Sequence, residues 1–149
     1  MRVTMLLADF AQVSDGKLTV VGGGWSLTGP EAVPFGIAIL IRVPWDQANQ
    51  RHVMRLELLD ADGQPVEVET TEGPKPLRLE GRFQATPAPG VKPGTQIDLP
   101  LAFNLPPQPI PAGGRYEWRL SVDGETHEDW RLVFSVRPSP AAEAGTAES

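Results

Sequence analysis

The chain has 149 residues, 40% of them hydrophobic, and a formal charge of −6, which suits one domain with a sizeable core and argues against a general nucleic-acid surface, since phosphate binding needs a positive patch. It has no cysteine, which excludes disulfides, cysteine-ligated zinc and thiol catalysis and favours a reducing, cytoplasmic setting. No run approaches the roughly 20 apolar residues of a membrane span, and MRVTMLLADF lacks the apolar core and cleavage site of a signal peptide.

Residues 6–25, LLADFAQVSDGKLTVVGGGW, read as two short strands joined by a polar turn, then three glycines and a tryptophan. Residues two apart on a strand share a face, so Val3, Met5 and Leu7 form one series and Leu18 and Val20 begin another. Asp9 interrupts the first series on the same side. If that side is buried, its carboxylate must find donors in the turn at 15–17, because an unpaired buried charge is costly. Ile37, Ile39, Ile41 and Val43, with Ala38 and Leu40 on the opposite face, predict a central strand.

Met54, Leu56 and Leu58 alternate with charges up to the turn at 60–63, after which Val66 and Val68 predict the return arm of a hairpin. Leu77, Leu79 and Phe83 share a face with Gly81, opposite Arg78, Glu80 and Arg82; with Arg115, Arg119, Arg131 and Arg137 these predict a mixed-charge solvated sheet face. Ile97, Leu99, Leu101 and Phe103 follow, with Pro100 placing that strand at an edge or bulge. Tyr116, Trp118, Leu120 and Val122 lead to Asp123 and Gly124, a primed two-residue turn, and Trp130, Leu132, Phe134 and Val136 return.

These eight or nine strands, separated by proline and glycine turns, predict an all-β fold: a two-sheet antiparallel β-sandwich, immunoglobulin-like or jelly-roll-like, with a small barrel as the alternative. The sandwich takes residues 1–137 as a single domain. Residues 138–149, PSPAAEAGTAES, lose the alternation and predict a disordered tail.

The opening LLADFAQVSDGKLTVVGGGW, the later AILIRVPW and the closing GRYEWRLSVDG resemble a family of small bacterial β proteins without an established activity. The resemblance spans residues 3–137 and implies a shared domain; it carries over no catalytic or ligand-binding residue.

No constellation predicts an active site. Gly22, Gly23 and Gly24 follow a strand, but Trp25 and Ser26 stand where a phosphate loop needs GK[ST]. They predict special backbone angles or close packing instead. His52 and His127 lack the further ligands of a zinc set, and Asp60, Asp62 and Glu67 match a turn better than a calcium loop. Ser14, Ser26, Ser121 and Ser135 lack a nucleophile elbow. No catalytic residue, metal ligand or cofactor is predicted.

The aromatic residues supply the functional expectation. Trp118 and Trp130 carry the core alternation, whereas Trp25 and Trp45 lie near turns and suit recognition. With Gly22, Gly23 and Gly24, and with Asp9 and Asp15 nearby to set orientation, they predict one binding patch. The expected function is non-catalytic recognition of a macromolecule, a protein partner or a second copy, through a sheet edge or this aromatic loop patch, with no nucleic acid or membrane involved. A small-molecule or carbohydrate-binding module, metal-assisted or not, is the alternative, and an enzyme of unknown class the third.

Overall fold

A computed structural model describes residues 1–140, so most of the predicted tail, 141–149, lies outside the described residues. The described residues are all-β and largely antiparallel, with twelve strands in four sheets rather than two. Three strands form one sheet in the order β1 (Arg2–Ala8), β5 (Phe35–Val43) and β10 (Ile97–Leu105). Five form the second, in the order β4 (Leu27–Thr28), β12 (Arg131–Val136), β11 (Arg115–Val122), β6 (His52–Asp60) and β9 (Arg78–Phe83). Two ribbons, β2 (Phe10–Ser14) with β3 (Lys17–Val21) and β7 (Glu67–Thr70) with β8 (Gly73–Pro76), account for the rest. Among the described residues no helix is long and apolar enough to cross a membrane.

The core lies between the two larger sheets. Ile37, Ile39 and Ile41 of β5 meet Met54, Leu56 and Leu58 of β6 and Trp118 and Leu120 of β11 in one buried cluster. β5 is apolar on its inner face, which meets the five-stranded sheet, and partly so on its outer face, where the β2–β3 ribbon approaches Gly36 while Arg42 stays part-exposed. It is the central strand that its sequence predicts, and β10 with Pro100 is an edge.

The ribbon explains why two sheets became more. The chain leaves β1 at Asp9 and β2 crosses the three-stranded sheet instead of joining it. A Cβ on Gly36 would stand 3.1 Å from the Ala11 nitrogen and 2.7 Å from Asn104 Oδ1, so only glycine lets the backbones approach this closely. Asn104 then stands in for a strand partner, accepting from the Ala11 N–H at 3.1 Å and donating to the Ala11 carbonyl at 2.7 Å. Asn104→Leu is expected to cost about 1–2 kcal/mol. Faster hydrogen exchange at Ala11, with the core amides unchanged, would show that the loss is confined to the ribbon.

The hairpin predicted between 54–58 and 66–68 is corrected. The Asp60 carboxylate does hold its turn, accepting from the Asp62 and Gln64 N–H groups, each at 2.9 Å. Past it, only Leu59 and Pro65 bridge; β6 pairs with β9 and β11, and β7 pairs with β8. Val66 donates to Leu58 and Leu77 to Val66, while Leu58 donates to Leu77. The β7–β8 ribbon is thus an excursion inserted between two strands that are neighbours.

The outer face of the five-stranded sheet carries mixed charge, as its alternation predicts. Arg55 pairs with Glu80 at 2.7 Å, and Arg119 with Glu117 at 2.9 Å.

Candidate functional site

Trp25 follows the three glycines, which cover the edge of β1: the Gly24 N–H donates to the Leu7 carbonyl at 2.7 Å. Gly22 and Gly24 have φ of 60° and 91°, the left-handed region that a side chain disfavours. A Cβ at Gly22 would also collide with the Asp9 carboxylate. The glycines therefore give special angles and close packing. They turn the chain so that the indole drops onto Phe35 at the start of β5 and Phe134 in β12, edge-on at centroid distances of 6.2 and 6.1 Å.

The half-buried Trp25 lines an open, shallow cleft, with Ile110, Val33 and Glu31 in the same lining. Its Nε1 is buried and has no hydrogen-bond partner among the described residues. Beside it β4 is the outermost strand, two residues long and parallel to β12. The Ser26 and Thr28 carbonyls accept from the Ser135 and Arg137 N–H groups at 2.9 and 2.8 Å. Alternation then turns the N–H and C=O of Leu27 to the free side. Leu27 and Val33 are 49% and 50% exposed. The cleft thus joins an apolar lining that includes Trp25 to a bare stretch of strand edge.

The predicted patch separates into parts. Asp9 lies beside Gly22, with Trp25 next along the chain. Asp9 is exposed, so the burial that would tie its carboxylate to the turn at 15–17 does not arise; its own N–H donates to the Val21 carbonyl. Asp15 sits at the tip of the β2–β3 ribbon with φ of 51°. Trp45 begins the 3-10 turn Trp45–Gln47 beyond the far end of β5. A strand of nine residues puts it roughly 30 Å from Trp25. Phe35, Leu27, Val33 and Ile110 are site residues that sequence reasoning missed. Leu27, Val33 and Ile110 are single apolar residues among prolines and glycines with no period to reveal them, whereas Phe35 extends the Ile37, Ile39, Ile41 series by one step of two.

At the Trp45 end a second polar arrangement was also missed. His52, 4% exposed, stacks on Phe83 with ring centroids 5.1 Å apart. Its Nδ1 meets Asp123 Oδ2 at 2.7 Å and its Nε2 the Gln47 carbonyl at 3.0 Å. Asp123 Oδ1 accepts from the Val53 N–H at 2.9 Å. Burial alone would lower the imidazole pKa; the Asp123 hydrogen bond, the Gln47 carbonyl and the Asp123 charge outweigh it and raise the value above 6.5. The same hydrogen bond, with that from Val53, holds the Asp123 carboxyl below its ordinary range. A signal existed: His52 continues the inward series Met54, Leu56, Leu58 by one step of two.

His127 is exposed, its ring 4.4 Å from that of Trp130. Among the described residues, no three His, Cys, Asp or Glu side chains converge as a metal site would require. The His52 pair joins the turn at 45–47 to the last hairpin, and its ring nitrogens are both taken by Asp123 and the Gln47 carbonyl, so the Trp25 cleft is the stronger candidate. Residues 3–135 match a protein family described as a family of unknown function (DUF6941). No curated protein and no solved structure matches.

Proposed function

Because the chain belongs to DUF6941, a family of unknown function, we propose from the geometry alone that it is a non-catalytic binding protein whose Trp25 cleft recognises an extended segment of another polypeptide. The single observation that carries this reading is the half-buried Trp25 in the lining of an apolar cleft beside a bare strand edge. The Trp25 indole N–H is closed to solvent and without a partner among the described residues, so pairing it with a peptide carbonyl requires the indole to shift on binding. The free side of Leu27 offers N–H and C=O for strand addition, while Leu27 and Val33 add apolar surface that a partner's side chains would cover. A cytoplasmic setting goes with this reading, supported by the absence of cysteine.

Trp25 also packs on core aromatics, so the test uses its rim. Peptides selected from a random display library on the wild-type protein should lose most of their binding to Leu27→Asp and Val33→Asp, at least about tenfold for each. Both variants should keep the wild-type melting temperature. The Trp25 indole proton resonance should shift on binding. Selected peptides that bind both variants as tightly as wild type, or leave that resonance unmoved, would refute the reading.

A further inference from the structure

We infer that β9 is a self-association edge on which a second copy of this chain adds antiparallel to itself, joining two five-stranded sheets into one. This inference is independent of the Trp25 cleft, since β4 and β9 are opposite ends of the same sheet.

Among the described residues β9 pairs with β6 and with no other strand. The Leu58 N–H donates to the Leu77 carbonyl at 3.1 Å. Hydrogen-bonded positions alternate from there, so Leu79, Gly81 and Phe83 turn their backbone groups toward β6. Arg78, Glu80 and Arg82 turn theirs to the free side. Natural edges are usually blocked by proline, charged side chains (lysine above all), a bulge or shortness. The charges of β9 alternate in sign, so they exclude a second copy only out of register. RLEGRF has no proline or lysine, and its register with β6 runs unbroken over six residues. The other long edges are closed: β10 carries Pro100, and the Leu7 carbonyl of β1 is taken by Gly24.

What identifies the occupant is that the strand complements itself. With Gly81 opposite Gly81 at a two-fold axis, Glu80 faces Arg82 of the second copy and Arg82 faces its Glu80. On the inner face, Leu79 meets Phe83 in both directions. Glu80 and Arg82 are both exposed. Arg55 engages Oε1 of Glu80, which leaves Oε2 for the incoming guanidinium. A slip of two residues in one direction sets Glu80 against Glu80, and in the other Arg82 against Arg82. Like charges directly opposite are destabilising, so charge selects one register.

The test is a charge exchange read by sedimentation and native mass spectrometry of the full chain. Wild type should form dimers as its concentration rises. Glu80→Arg alone and Arg82→Glu alone should each weaken dimerisation by at least about tenfold, because two attractive cross-strand pairs become repulsive. An equimolar mixture of the two single variants should form the heterodimer, and the double variant should recover the homodimer. Wild type that stays monomeric throughout, single variants that dimerise as wild type does, or a mixture that stays monomeric would each overturn the inference. Should a variant fail to fold, wild type alone decides. Diluting it should speed hydrogen exchange at the Glu80 and Arg82 amides, and exchange independent of concentration would refute the edge pairing.

Discussion

Replacing Trp118 with alanine is expected to remove about 3–5 kcal/mol of unfolding free energy, the usual cost of emptying a large buried aromatic site. The ring is fully buried, 0% exposed, tilted against Phe35 at 6.3 Å and flanked in register by Leu58 and Leu132. It spans the two sheets, so neither can collapse into the space without moving the other. Phenylalanine should behave differently. The indole Nε1 is buried without a partner, and its removal offsets part of the lost packing, since an unsatisfied donor costs about 1–3 kcal/mol. Trp118→Phe should therefore cost less than half of what Trp118→Ala does. Urea unfolding at matched slope measures both; equal costs would show that the nitrogen is not the liability assigned to it.

Asp123→Asn should destabilise the protein by an amount that depends on pH, about 1–2 kcal/mol near pH 5.5 once the carboxylate's half exposure is allowed for. Both nitrogens of His52 face oxygens that only accept, so the doubly protonated ring makes both bonds and the neutral ring must forgo one. The raised His52 pKa means its stabilisation is complete below its unfolded value of 6.5 and fades as pH rises through the folded one. The depressed Asp123 pKa means its share is present above 3.8 and fades as pH falls through its folded value. Between those limits the pair contributes most. At pH 9 the difference between wild type and Asp123→Asn should shrink to the part carried by the Val53 N–H. Asparagine tolerates the positive φ of this turn, so the hairpin survives the test. A difference constant from pH 5 to 9 would remove the ionised pair from the account.

Local chemistry was legible wherever one residue or one period decided the matter. The isoleucine series at 37–41, with Ala38 on the opposite face, required cover on both sides, and these residues are buried. Pro100 lacks a ladder donor and lies on an edge. Asp123 and Gly124 both take positive φ, as a primed turn demands. What alternation does not encode is which strand pairs with which. Met54, Leu56 and Leu58 would look the same beside Val66 and Val68 as beside Leu79 and Gly81, and the turn at 60–63 ends before that choice is made. For the same reason Trp25 and Trp45, both near turns, seemed one patch although a whole strand separates them. The His52 pair combines positions 71 residues apart, which no local pattern reports, even though the inward direction of His52 could be read.

The parallel pairing of β4 with β12 bears on when the Trp25 cleft comes into existence. Leu27 and Ser135 are partners across 108 residues, and closing so long a loop is among the slower events available to a chain. The emerging polypeptide can hold Trp25, Phe35 and the glycines for most of its synthesis while the wall contributed by Phe134 and Val136 is still missing. The cleft is therefore completed last, and an incomplete or partly unravelled molecule that retains β5, β6 and β11 would already lack its Phe134 and Val136 wall.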